Sequence, residues 1–422
     1  MMQHLIEKNI TESLFNQLLV SINFNLFSKI VTELELDKYT KKLTTKRLFL
    51  ILLYGQLESV SSLDSLSIDV SNRSDLKKEI GLDSISASQL SRKLRDIPPV
   101  IFEEIFNQIK LEALAKRGSN FYRNNLGQLN IIDASTVSMA LSNYPWADFR
   151  STKAGIKIHT RIIYDGEIMP DKVEITPAKG ADKTKMDNLI VQDKNTLHVF
   201  DRAYVDYQGF DNYCDAGILF LSRLKSNAKI KVLKSKTVII DGQEVKDSIV
   251  LLGDKKQDKQ MDNILRILEI PDRENPGSTI RLITNDFEHS AALISRYYRD
   301  RWQIEIFFKW IKQHLHVKVF YGHSENAVKS QIFTALISFV LLTLLKREAN
   351  TDKSLFKVLK YFRACKFESL KAFIRKINRP PSRSSKGRRV IDYEKIYQLL
   401  ERQVMAGETE LLYSTEFNPV IL

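Results

Sequence analysis

Three acids stand where metal-assisted phosphate chemistry would need them. Asp133 closes the apolar run of "QLNIIDAST", Asp201 follows the apolar "TLHVF", and Glu305 lies in "YYRDRWQIEIFFKWIKQHL", Tyr297 to Leu315. A single acid at the end of a strand is commonly a turn or cap residue. Three acids that converge from two neighbouring strands and a helix would line a site with hard oxygen ligands, which Mg²⁺ prefers. Two ions about 4 Å apart in such a site activate an attacking oxygen and stabilise the leaving one during in-line phosphoryl transfer. The corresponding expectation is carboxylate oxygens about 3–6 Å apart.

The Glu305 segment has a helical rhythm. At about 100° per residue, Tyr298 and Lys312 fall within about 20° of Glu305, and Arg301 within about 40°. Ile304, Phe307, Ile311 and Leu315 take the opposite side. One face is therefore core, and the other aligns a phenol, a guanidinium, a carboxylate and an ammonium. Taken alone, that face is equally a surface with an Arg301–Glu305 pair, worth a few tenths of a kcal/mol. His314 and His316, two residues apart, face different ways and make a poor metal pair.

The whole chain favours a charged partner. Its 422 residues leave room for two or three domains. Sixty-four Lys and Arg against 51 Asp and Glu give +13 and a pI near 9.4. That balance points to a polyanion, nucleic acid before an anionic membrane. Cys214 and Cys365 lack CxxC spacing, so neither a disulfide framework nor a cysteine zinc site is expected, and a reducing cytoplasm fits. Glu7 and Glu12 interrupt the N-terminus where a signal peptide needs an apolar stretch. The greasiest run, Ile332 to Leu345, is 14 residues long. A membrane span takes about 20, so a buried core helix is expected and no membrane partner.

The elements that must position these residues can be laid out along the chain. Residues 1–125 read as a helical N-terminal domain suited to DNA binding. "LTTKRLFLILLYGQLESVSSLDSL" offers Thr44 or Thr45 as N-cap of an apolar helix, and "SISASQLSRKLRDIPP" offers Ser86 or Ser88. Leu90 and Leu94 go to the buried side of the second helix. Gln89, Arg92, Lys93 and Arg95 are left as either a recognition surface on DNA or a solvated face.

Residues 126–224 change to strand texture, with a hairpin signal at Asp165-Gly166, a short helix in "DKTKMDNLIV" and a further strand in "GILFLSRLK". His159, alternating with Lys157 on one of these strands, is either DNA-facing or structural. Residues 225–290 form a β-rich insertion with a second Asp-Gly turn at Asp241-Gly242. Residues 291–348 return to helix. The region 349–422 is expected to contact DNA or dimerise: from Lys353 to Arg389 it holds 13 Lys or Arg against the single acid Glu368. Aromatic residues interleave this stretch, and its end, "RPPSRSSKGRR", reads as a basic loop. Strands, helix and strands together predict an α/β mixed sheet with helical regions at both ends.

The run Tyr298, Arg301, Glu305, Lys312, with "IIDAST" and "FDRAY", resembles the signature of the insertion-sequence-four family of DDE transposases. The resemblance covers about Leu129 to Glu348 and implies an RNase H-like catalytic core split by the β-rich insertion. It further implies that Asp133, Asp201 and Glu305 bind two divalent ions, Mg²⁺ or Mn²⁺. Tyr298, Arg301 and Lys312 would hold phosphates of a transposon end. Arg202 is a further candidate phosphate contact, and Lys309, about 40° from Glu305, another. Trp302 flanks the stripe, where it either stacks on an unstacked base or joins the core.

The activity implied is cut-and-paste transposition through a hairpin intermediate. It would act on double-stranded DNA, both terminal inverted repeats and target, in a homodimeric paired-end complex at the bacterial nucleoid. A structure-specific Mg²⁺-dependent nuclease and a non-cutting DNA-binding regulator remain the alternatives.

Overall fold

Ser13, Asn23, Thr44, Ser62 and Ser86 each precede a helix and accept hydrogen bonds from its first-turn amides. These caps satisfy amides that have no partner within the helix, so the chain turns helical at those points. The computed structural model describes residues 12–117, 128–253, 260–272, 277–315, 317 and 319–380. Its first helices are α1 (Leu14–Leu18), α2 (Phe24–Glu33), α3 (Thr45–Glu58), α4 (Leu63–Asn72), α5 (Ser74–Ile80), α6 (Ala87–Asp96) and α7 (Val100–Ala115). Helix α6 has a full capping box between Ser86 and Gln89, with Leu90 and Leu94 buried. Its basic side is partly committed: Lys93 bonds Asp37 at 2.9 Å and Arg95 pairs with Asp96.

The sheet comprises β1 (Gln128–Met139), β2 (Asp148–Arg150), β3 (Lys153–Tyr164), β4 (Ile168–Pro177), β5 (Thr196–Phe200), β6 (Leu219–Arg223), β7 (Ile230–Ile240), β8 (Gln243–Leu252), β9 (Leu265–Pro271) and β10 (Thr279–Thr284). The short α8 (Met186–Leu189) precedes β5, and α9 (Tyr207–Ala216) crosses from β5 to β6. All ten strands form one sheet in the order β2-β3-β1-β5-β6-β10-β9-β8-β7, with β4 also on β3. The pairs β1–β5 and β5–β6 are parallel. The β-rich stretch thus extends the core sheet, joined to β6 through β10. Asp241 (φ 47°) and Gly242 (φ 78°) make the two-residue turn between β7 and β8, the left-handed geometry that Asp-Gly favours. One face of the sheet packs Phe200, Phe210 and Phe220, the last two stacked at 4.3 Å.

The remaining helices are α10 (Ala291–Asp300), α11 (Gln303–His314), α12 (Glu325–Glu348), α13 (Leu355–Cys365) and α14 (Leu370–Ile377). One continuous helix was expected from Tyr297 to Leu315; the structure has two. Between them the amides of Arg301, Trp302, Ile304 and Glu305 bond carbonyls three residues back, a 3₁₀-type tightening that interrupts the α-helical phase. Helix α12 is longer than the expected apolar run. Among the described residues it alone is long and apolar enough to cross a membrane, yet 89% of its apolar window is buried. It is a core helix.

Chain packing divides the protein into two units. A helical unit takes the described residues up to Lys116 and those from Lys309 onward; a sheet unit takes Arg117–Phe308. The division falls within α11. The basic stretch is helical in its described part, with Phe362 and Phe373 buried. Arg383, Lys386, Arg388 and Arg389 lie outside the described residues.

Candidate active site

Register brings the two aspartates together. Strands β1 and β5 run parallel with Ile132 opposite Phe200, so Asp133 and Asp201 are the next residues on neighbouring strands. At Asp201 the chain leaves the sheet into a short turn, Arg202–Tyr204. Strand β1 does not end at Asp133, as its sequence implied. It continues to Met139 because β3 keeps pairing with it, from Asp133 opposite Thr160 to Met139 opposite Ala154. Asp133 therefore stands where β1 and β5 part, and its carboxylate accepts a hydrogen bond from the Ala134 amide at 2.8 Å.

Glu305 arrives from the first turn of α11, and Arg301 from the break before it. The guanidinium of Arg301 reaches both carboxylates, 2.7 Å from Glu305 Oε1 and 3.8 Å from Asp133 Oδ2. It lies 6.0 Å from the ring centres of Tyr298 and of Trp302, at the edge of cation–π range. The i,i+4 pair, which taken alone reads equally as a surface contact, is thus part of a carboxylate cluster, with Arg301 only 14% exposed.

The electrostatics follow from one guanidinium serving several acids. Burial pushes the Asp133 carboxyl up to about 7; Arg301 opposes that rise, while Glu305 and Asp201 add to it. Water still reaches 22% of the Asp133 side chain, which tempers the shift. Burial also raises Glu305 despite its bond to Arg301. Burial works against charge on Arg301, but Tyr298, Glu305, Asp133 and Asp201 together hold it above its ordinary range. Burial pushes the Tyr298 phenol up to about 12.

The other expected residues are placed variously. Arg202 is exposed beside Asp201, and Trp302 is half-buried. Lys309 and Lys312 fall in the helical unit; burial lowers the Lys309 ammonium, and Lys312 is 7% exposed. His159 is buried and hydrogen-bonds Thr176 Oγ1 at 3.1 Å, a structural role. His314 stacks on Phe356 at 4.3 Å.

Two residues escaped sequence reasoning. Phe200 lies opposite Ser222 on β6, so Arg223 is the residue beside Asp201, and its charge acts on Tyr298. It closes the apolar run of "GILFLSRLK" as Asp201 closes "TLHVF", a signal that was legible. Tyr204 packs its ring on Phe200 at 6.2 Å. Its buried hydroxyl has no hydrogen-bond partner among the described residues, and burial, then Asp133, Asp182 and Asp201, raise it.

The donor set fits a hard divalent cation, because carboxylate oxygens sharing too little positive charge gain from one. Among the described residues no three His, Cys, Asp or Glu side chains group closely enough to hold one ion, and some splaying of the carboxylates is expected without metal. Like charges repel, and the cation between Asp133 and Glu305 here is the Arg301 guanidinium.

Comparison with known proteins shows what the chain is similar to. Residues 125–341 match the model of the family described as "Transposase DDE domain". Residues 11–82 match a "Domain of unknown function (DUF4372)". The chain is 30% identical over 290 residues to "Putative transposase y4zB" of Sinorhizobium fredii, covering 67% of this chain and 78% of that protein. It is 29% identical over 295 residues to "Probable transposase for insertion sequence element IS5377" of Geobacillus stearothermophilus, covering 67% of this chain and 74% of the relative.

Proposed function

The chain belongs to the DDE transposase family, and from that premise we propose that it excises and reinserts a bacterial insertion sequence through Asp133, Asp201 and Glu305. Family membership makes it an enzyme of phosphoryl transfer on DNA that works with divalent metal. The observation that supports the residue assignment is geometric: parallel β1 and β5 set Asp133 beside Asp201, and Arg301 lies 3.8 Å from Asp133 and 2.7 Å from Glu305. We assign the three carboxylates to two ions, Mg²⁺ or Mn²⁺. Bound there, the ions supply Lewis acidity and an oxygen nucleophile active near neutral pH.

The protein's own groups hold and orient the DNA. Arg301 exchanges Glu305 for phosphate oxygens, which a guanidinium binds in bidentate fashion. Arg223 and Arg202, on either side of Asp201 in register and in sequence, take flanking phosphates. Tyr298, Lys309 and Lys312 extend the phosphate contacts, and Trp302 stacks on an unstacked base. The Tyr298, Arg301, Glu305, Lys312 spacing supports membership of the insertion-sequence-four group. In this reading residues 1–125 bind the terminal inverted repeats. Residues 126–224 and 291–348 form the core split by 225–290, and 349–422 tracks the DNA backbone or dimerises. A homodimer in the cytoplasm, at the nucleoid, pairs the two ends.

The test uses purified full-length protein, duplex DNA carrying both ends of the element, and a target plasmid, in Mg²⁺ or in EDTA. Cleavage at the ends followed by joining, both abolished by EDTA, is expected. Cleavage without joining would indicate a nuclease, and binding without cleavage a regulator; either overturns the proposal.

A further inference from the structure

The antiparallel ladder between β1 and β3 sets Asp133 opposite Thr160, and β4 adds Val173 to the same rung. Residues that face each other across such a ladder project from one face of the sheet, with Cβ atoms about 4.5–5.5 Å apart. Thr160 therefore stands beside the Asp133 carboxylate. Its neighbours on that face along β3 are Ile158 and Ile162, both fully buried, and the buried Val173 closes the rung on the other side. Ser135 is one rung further along, opposite Ile158. In register, Asp133 is the polar side chain closest to the Thr160 hydroxyl.

That hydroxyl is fully buried and has no hydrogen-bond partner among the described residues. It has lost water and gained nothing, a cost that Val would avoid with nearly the same shape and equal fitness for a strand. The buried hydroxyls of Tyr204, Ser222 and Ser330 share that condition. Tyr204 packs with Ile132 and Phe200 on the face opposite Asp133, and Ser222 lies opposite Phe200 on that same face. Ser330 belongs to the helical unit. Of these four, Thr160 alone shares both face and rung with one of the three acids. Asp133 has an acceptor to match: Oδ1 takes the Ala134 amide at 2.8 Å, while Oδ2 has Arg301 at 3.8 Å, past hydrogen-bonding range.

We propose that Thr160 is a positioning residue for the metal site: a turn about χ1 lets its hydroxyl donate to Asp133 Oδ2 and fix the orientation in which that carboxylate meets a divalent ion. The proposal rests on the reading of Asp133 as a metal ligand. A ligating carboxylate keeps its orientation through hydrogen bonds from outside the ligand set, and losing one such bond weakens metal binding about 10–100-fold. Once Arg301 has turned to phosphate, the Thr160 hydroxyl is the side-chain donor that the β1–β3 ladder keeps beside Asp133. An orphaned hydroxyl in the metal-free protein thus becomes a satisfied one when the site is filled.

Mn²⁺ binding to the full-length protein, read from the loss of the free-ion signal in electron paramagnetic resonance, tests this with no strand being cut. Thr160→Val should weaken Mn²⁺ about tenfold or more. In EDTA, urea unfolding should find the same variant at least as stable as the wild type, because the unsatisfied hydroxyl is gone. Thr160→Ser, which keeps the hydroxyl, should bind Mn²⁺ as the wild type does. Unchanged Mn²⁺ affinity in Thr160→Val would overturn the proposal, as would an equal loss in Thr160→Ser. So would a loss in Thr160→Val matched by lower stability in EDTA, which packing alone would give. Asp133→Asn separates this from the assignment of the acids. If Mn²⁺ fails to bind the wild type, or binds Asp133→Asn equally well, Asp133 leaves the metal site and the proposal goes with it. Weaker binding in Asp133→Asn with none lost in Thr160→Val overturns the positioning role alone.

Discussion

Two partly buried ion clusters in the sheet unit are built from the same residue types, and they behave in opposite ways. Asp247 on β8 and Arg266 on β9 form a bidentate pair at 2.9 Å, with the side chains 4% and 8% exposed. Arg266 also donates to the His289 carbonyl at 2.6 Å, so both partners are well satisfied. Burial alone would raise the Asp247 carboxyl, but Arg266, with Lys236, brings it below its usual range. At the β1–β5 split, Arg301 faces Asp133 and Glu305 with Asp201 close enough to be felt, and Asp133 rises to about 7. One cluster has its charge balanced by the fold; the other shares one guanidinium among several acids. The first fits a role in stability, and the second is where we place the chemistry.

The sharpest way to break that contrast is Glu305→Gln. It should keep DNA-end binding by anisotropy while cleavage falls about 10³-fold or more, the loss of several kcal/mol of transition-state stabilisation. Undiminished cleavage would remove Glu305 from the reaction. Asp247→Ala should act on the other side, destabilising the protein by about 3–5 kcal/mol in urea unfolding, because it leaves Arg266 buried and unpaired.

The Asp247 contribution also has a pH signature. Its folded carboxyl sits below the unfolded value of about 3.9, so its stabilisation is present above pH 4 and lost as pH falls through the folded value. Unfolding between pH 3 and 6 should therefore show a flatter acid limb in Asp247→Asn than in the wild type. A limb of equal slope would mean that the pair is not balanced as described.

Mg²⁺ should raise the Tm of the wild type by mass action on the folded state and do so much less for Asp133→Asn. An equal rise would place the ions elsewhere. Arg301→Ala should weaken DNA-end binding and lower its salt slope by about one unit, as expected for one neutralised phosphate. An unchanged slope would return Arg301 to a purely internal role. The smallest effect is expected at Lys179–Asp148, 73% and 59% exposed, where Lys179→Ala should leave the Tm unchanged because solvent screens such pairs.

Much of this was legible from local chemistry. The Asp-Gly pair at Asp241 and Gly242 announced its hairpin because few other residues adopt left-handed backbone at low cost. The sequence offered Ser86 or Ser88 as the cap of α6, and the reciprocal bond with Gln89 in the folded chain identifies Ser86. Less legible was the break between α10 and α11. The run around Arg301 contains no Pro or Gly, so nothing local contradicts a continuous helix, and the tightened turn appears only in the folded chain.

By itself, then, the sequence determined the menu of elements and the chemical character of some of their residues: apolar runs that reach Asp133 and Asp201, and a guanidinium four residues before a carboxylate at Arg301 and Glu305. Those properties depend on residues a few positions apart, where propensity and periodicity operate. Tertiary structure decided which strand ends are neighbours, that β1 runs on past Asp133 along β3, and that Arg301 lies between Asp133 and Glu305. It also decided that Thr160 faces Asp133 across the β1–β3 ladder. Strand register between segments distant in the chain is set by which faces pack and which ladders close, and a shift of one residue would turn every one of these side chains to the opposite face.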